Sequence, residues 1–225
     1  MTTRTDLTTG ADRRTARLAA VLFLVTWVTS VGALPLYGGS SYDPATRLAG
    51  RDSVLTASLL EVVLAVAVVG TSLALYPLLR AHGRGAALGY VALRGLEASV
   101  ILVGVVAVLP AVARPATTAA PGLSVDVVDG LRLVHDWTFL VGPGLINPVN
   151  ATVLAVLLWR RRLVPRFIPL LGLVGSVLVL GQNLAVMFGL TGTIAILVVP
   201  LFAWEISLAA YLVLRGIRPA QPTPR

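Results

Sequence analysis

The chain has no cysteine and no lysine. Without thiols there is no disulfide, no thiolate metal site and no cysteine nucleophile. Charge is scarce too: 12% of the 225 residues are charged, against roughly a quarter in soluble domains. Only two histidines occur, His82 and His135. His82 falls in a turn at one end of the apolar segments and His135 near the other end, so the two cannot share a zinc ion. No HExxH, GxSxG or P-loop pattern is present. No metal and no cofactor is therefore expected.

Apolar residues are abundant instead: 56% of the chain, with a mean hydropathy of +0.87. They fall in runs of about 20, the length that matches the hydrocarbon core of a bilayer. Helices are the natural form of such runs, because every backbone polar group in lipid must be satisfied within its own segment. The net charge of +8 comes from arginines, 16 of the 18 lying beside these runs. That pattern fits membrane topology, and no soluble basic domain remains to bind nucleic acid.

Six apolar segments are predicted, at 18–36, 55–79, 86–112, 131–158, 167–188 and 193–214. The linkers carry turn and cap chemistry: Tyr37 to Ser41 after the first segment, Asp52-Ser53 before the second, Pro115 and Pro121-Gly122 before the fourth, Asp129 as its cap, and Thr191-Gly192-Thr193 before the sixth. None is long enough for a soluble domain. The expected fold is all-α: one polytopic six-helix transmembrane bundle over 18–214, with tails at 1–17 and 215–225. Arginines set its orientation. Thirteen lie on the side holding both termini, including Arg4, Arg13, Arg14, Arg17, Arg80, Arg84, Arg160, Arg161, Arg162, Arg166, Arg215, Arg218 and Arg225. Three, Arg47, Arg51 and Arg114, lie on the other. Both termini are therefore expected in the cytoplasm. The first segment also resembles a signal peptide, with Val31-Gly32-Ala33 as a small-residue cleavage site. Its length and Pro35 favour a retained helix.

Ionisable groups inside spans are costly and usually face the bundle interior. An inner set is expected from Arg94, Glu97 and Glu205. An outer set is expected from Glu61, Arg132, His135, Asp136, Gln182 and Asn183. Asn147 and Asn150 add amides. Structural pairing is one reading: Arg94 with Glu97, Glu205 or Glu61, and Arg132 with Asp136, with the amides as hydrogen-bond glue. A path for an ion, proton or substrate is the other. Four acids face two arginines in these spans. Two acids must be protonated, bind a cation or face water.

The fourth segment is the most informative. Gly142-Pro143-Gly144 and Pro148 predict a helix break that frees backbone carbonyls. Arg132, Asp136, Pro143, Asn147 and Asn150 fall in one stripe. Such a broken helix resembles the substrate-binding helices of transporters, or else it is a kink packed inward. No second Gly-Pro-Gly and no three-helix repeat accompany it. Gly85 and Gly89 form a GxxxG expected to pack inside the bundle. Trp27, Trp159, Trp204 and the tyrosines are expected to anchor or pack.

Several stretches resemble those of one bacterial membrane family. Leu88-Gly89-Tyr90 followed by Arg94 and Glu97 is similar to its LGY-x3-R-x2-E segment. Asp136-Trp137 through Gly142-Pro143-Gly144 resembles its DW-x-FL-x-GPG segment. Glu61 with Tyr76-Pro77 looks like its second helix, and Leu163-Val164-Pro165-Arg166 like its RLVPR segment. The family is domain-of-unknown-function family 4386, and the likeness runs from about Arg17 to Leu214. It implies a six-helix bacterial inner-membrane protein and supplies no activity. The polar Asn147-Pro148-Val149-Asn150 and Gln182-Asn183 stretches depart from what the resemblance implies.

Three functions remain open. One is a small transporter or proton- or cation-conducting bundle: Glu205 and Glu97 as carriers, Arg94 as modulator, Asp136 with Glu61 at the outer mouth. Another is a non-catalytic accessory or stress-response component, bound to a membrane partner or to a second copy. The third is an intramembrane enzyme using His135, Asp136 and Glu61. The lipid bilayer is the one partner that all three require.

Overall fold

The computed structural model describes residues 4–38, 48–112 and 123–216, with side chains of the first stretch from residue 13 onward. The turn residues Gly39 to Ser41, Pro115 and Pro121-Gly122 lie outside the described residues, as do Arg47, Arg114, Arg218 and Arg225. Every regular element among the described residues is helical. Five helices are long and apolar enough to cross a membrane.

α1 runs from Arg4–Ala33 and closes in a 3-10 turn, Leu34–Tyr37. It begins well before position 18, so most of the expected N-terminal tail continues the same helix. α2, Arg51–Val112, is 62 residues long. Straight, it would measure about 93 Å, three times the hydrocarbon thickness. It is not straight. Gly83 leaves the helical region, with φ 175° and ψ 84°. Arg51 Nε at one end donates to the Val112 carbonyl at the other, at 3.2 Å. α2 is therefore a helical hairpin, and the expected segments 55–79 and 86–112 are its arms.

α3, Val125–Phe139, starts earlier than expected. Its cap is Ser124, which accepts from the Val127 N–H, and not Asp129, which lies inside the helix. A π-helical turn, Leu140–Ile146, joins α3 to α4, Asn147–Arg161. Together they form one continuous span, Val125–Arg161. α5 covers Phe167–Met187. α6 covers Val199–Leu214, preceded by a 3-10 turn, Ala195–Val198, and not by helix from 193. Pro200, which has no N–H to give, sits in its first turn.

Packing fixes which ends meet. Ala16, Ala87, Leu157, Leu163 and Leu212 share one buried cluster. That places the start of α1, the Gly83 bend, the α4–α5 turn and the end of α6 together. Exposed Arg13, Arg14, Arg80, Arg84, Arg160, Arg161 and Arg215 ring this end. Ala33, Tyr37, Val54, Ala57 and Val108 close the opposite end. α5 and α6 approach closely because a methyl on Gly175 would overlap the Leu201 backbone, and one on Gly172 would overlap the Trp204 ring. The outer faces are apolar: Val28, Val66, Val106 and Val177 are 67–72% exposed. A surface this apolar suits lipid, not water. The GxxxG glycines do not pack inside the bundle as expected. No heavy atom lies within 4 Å of a methyl built on Gly85 or Gly89.

Candidate functional site

The polar residues within the long apolar helices gather into two clusters. The first is built on α2, α4 and α6. Arg94 Nη1 donates to Glu97 Oε2 at 2.9 Å, one turn along the same helix. It also donates to Asn147 Oδ1 at 3.3 Å. Asn150 Nδ2 donates to the same Glu97 oxygen at 2.6 Å. Glu205 of α6 takes a hydrogen bond from Trp27 Nε1 of α1 at 2.7 Å and shares a cavity wall with Asn147. Arg94 and Glu97 are each 3% exposed, whereas Glu205 is partly open. It opens onto a cavity of about 170 Å³, lined also by Arg94, Glu97, Asn147 and Pro143.

The second cluster sits toward the Tyr37 end. Arg132 Nη2 donates to Asp136 Oδ2 at 2.8 Å, again one turn along one helix. His135 is set between two carboxyls: Nδ1 lies 3.3 Å from Asp136 Oδ1 and Nε2 lies 3.0 Å from Glu61 Oε2. The Tyr37 hydroxyl donates to Glu61 Oε2 at 2.8 Å, and Ser58 Oγ is 3.2 Å from it. All four ionisable groups are buried. A neutral imidazole donates from one nitrogen only. If both ring nitrogens donate here, the ring is an imidazolium; otherwise a carboxyl carries the proton.

A second cavity, of about 360 Å³, borders this cluster. Tyr37, Glu61, His135, Asp136, Gln182 and Asn183 line it. Ser30, Pro143, Val179 and Val198 line both cavities. The two chambers thus adjoin across one wall.

The π-turn supplies part of that wall. Pro143 and Pro148 each lack an N–H and cannot close ordinary helical bonds. The Asn147 N–H reaches back five residues to the Gly142 carbonyl. Pro148 leaves the Gly144 carbonyl, four residues earlier, without its helical donor. Asn183 Nδ2 of α5 takes it at 3.2 Å while also donating to its own Val179 carbonyl at 2.9 Å. The π-turn lies against α2: a methyl on Gly142 would sit 3.4 Å from the Glu97 carbonyl, an ordinary contact. The Gly-Pro-Gly segment is therefore a widened turn in a continuous helix, with its freed carbonyl already engaged.

Both of the wide sequence sets are split or extended by the fold. Arg132 and Asp136 join one cluster, and Asn147 and Asn150 the other, though all four lie on one span. Gln182 lines the larger cavity without joining a cluster; its Oε1 is buried with no hydrogen-bond partner among the described residues. Trp27, Tyr37 and Ser58 were not among the expected site residues. Their signal was present: Trp27 and Tyr37 are aromatic residues with a polar handle inside or at the end of a span, and a buried handle usually finds a partner. No group of three His, Asp or Glu side chains among the described residues is placed to hold a metal ion.

Comparison with curated proteins and with solved structures finds no match. Residues 18–216 match the family model described as Domain of unknown function (DUF4386). That match covers nearly the whole chain, through both charged clusters and the π-turn, and the protein belongs to this family.

Proposed function

We propose that the chain is an integral membrane protein that moves protons, or a cation coupled to them, between its two charged clusters. In this reading each arm of α2 crosses the bilayer, which makes six crossings. The arginine-ringed end and both termini face the cytoplasm of a bacterial cell, by the excess of arginine there. The membrane is then the inner membrane.

One observation carries the reading. In each cluster the carboxyls outnumber the guanidinium by one. Arg94 pairs with Glu97 and shares a cavity wall with Glu205; Arg132 pairs with Asp136, and His135 joins that pair to Glu61. Each cluster therefore reaches neutrality by taking one proton or one cation. Burying an uncompensated charge in hydrocarbon is expensive, so that occupant is held but exchangeable. The adjoining cavities give it somewhere to go, with Ser30 and Pro143 in the shared wall. Glu61 and Asp136 serve as the outer mouth. Glu205 and Glu97 are the inner carriers, and Arg94 sets the affinity of that station.

The test is proton flux in proteoliposomes under an imposed potential. Flux is expected from the native chain and is expected to vanish in Glu205→Gln, which keeps the side chain's size and its capacity to accept from Trp27. Equal flux in the variant removes Glu205 from the path. No flux from either protein overturns proton conduction.

A further inference from the structure

We propose that the cavity of about 360 Å³ beside Glu61 binds a small organic ammonium ion. Its size falls within the usual range for small-molecule sites, about 300–1,000 Å³. The chemical class follows from which lining atoms are already engaged.

Three of the polar side chains on its wall are already engaged as donors or face acceptors. The Tyr37 hydroxyl donates to Glu61. Both nitrogens of His135 face carboxyls. Asn183 Nδ2 donates to two backbone carbonyls. Acceptors remain. Gln182 Oε1 is buried without a partner among the described residues. An unpartnered buried acceptor carries a desolvation cost that a ligand donor would remove. Each carboxylate oxygen can accept about two hydrogen bonds. Asp136 Oδ1 and Glu61 Oε1 each face a His135 nitrogen. A ligand that donates meets these acceptors.

Charge and shape narrow it further. The four-group cluster is neutral only while it holds one proton, on His135 or on a carboxyl, and a cationic donor can take that proton's place. Tyr37 and Phe139 present rings, which attract ammonium groups through their negative faces. Val31, Leu34 and Val198 supply an apolar wall for a hydrocarbon body. An ammonium head with an apolar body satisfies all of these at once. The proposal rests on the preceding reading in one respect: it names the cation that the outer station accepts.

Benzylammonium is a suitable probe, with benzyl alcohol as its neutral counterpart. Binding is measured by isothermal titration calorimetry on purified full-length protein in detergent at neutral pH. Saturable binding of benzylammonium is expected, with benzyl alcohol at least about tenfold weaker. Gln182→Leu, at a partly exposed position that tolerates an apolar side chain, is expected to weaken benzylammonium by about tenfold. Glu61→Gln is expected to weaken it further if that variant folds. No binding up to millimolar concentration, equal binding of the alcohol, or unchanged affinity in Gln182→Leu would each overturn the proposal. The flux assay above contains no amine and this assay contains no membrane, so either reading can fail alone.

Discussion

The two charged clusters share one plan and differ in one member. Each has an arginine and an acid one turn apart on a single helix: Arg94–Glu97 at 2.9 Å and Arg132–Asp136 at 2.8 Å. Each adds a second acid from another helix, Glu205 or Glu61. In each, an aromatic donor from the first helical element holds that second acid: Trp27 for Glu205 and Tyr37 for Glu61. The difference is the group between the acids. Around Glu97 and Glu205 it is amide, from Asn147 and Asn150. Between Asp136 and Glu61 it is His135. An amide cannot take a proton at any ordinary pH, whereas imidazole can. One cluster thus has a single cation for two acids; the other has a second base in reserve.

That asymmetry sets the largest expected effect. Arg94→Met leaves Glu97 and Glu205 buried with no cation. Removing one partner of a buried pair costs about 3–5 kcal/mol, because the remaining charge is uncompensated. Unfolding of the detergent-solubilised variant should show a loss in that range. Adding Glu97→Gln should recover much of it, as coupled neighbours do in a double-mutant cycle. A loss below about 1 kcal/mol would mean that the cluster is open to water instead. The matching change in the other cluster, Arg132→Met, should cost less, roughly 2 kcal/mol, because His135 still faces both acids. Equal losses would break the comparison.

His135→Gln tests the same difference from the other side. It makes the second cluster resemble the first, with an amide between the acids. Glu61 then keeps only Tyr37 and the amide. A loss of about 2 kcal/mol is expected. The double variant Arg132→Met/His135→Gln should lose more than the two single losses combined. Simple additivity would show that the arginine and the histidine serve different acids.

Much of this plan was legible in the sequence, and the reasons are physical. An Arg and an acid three or four residues apart on a helix must be neighbours, so both ion pairs could be read from spacing alone. The apolar runs give the spans for the same local reason. The hairpin in α2 was half legible. Its arms were clear, but nothing local distinguishes a turn of helix across Arg80 to Arg84 from a loop. What stayed hidden depends on tertiary contacts. Glu205 meets a tryptophan 178 residues away, and Glu61 meets a histidine 74 residues away. The π-turn was hidden too. Gly142-Pro143-Gly144 permits a break, but Asn183 of α5 takes the carbonyl that Pro148 leaves without a donor, and the helix stays continuous.

The smallest expected effects come from the two aromatic donors. Trp27→Phe and Tyr37→Phe each remove one hydrogen bond to a buried or partly buried acid and keep most of the ring. A hydrogen bond to a charged group contributes about 1.5–3 kcal/mol. The full amount is not expected at Glu205, because it is partly open and its cavity can hold water. Trp27→Phe should therefore cost about 1 kcal/mol. Glu61 keeps His135, but it lies 2% exposed with less access to water. Tyr37→Phe should cost more, about 1.5 kcal/mol. Unfolding midpoints of the two variants, measured side by side in one detergent, decide the order. If Trp27→Phe is the more damaging, Glu205 is the drier of the two second acids, and Glu61 is the one with access to water.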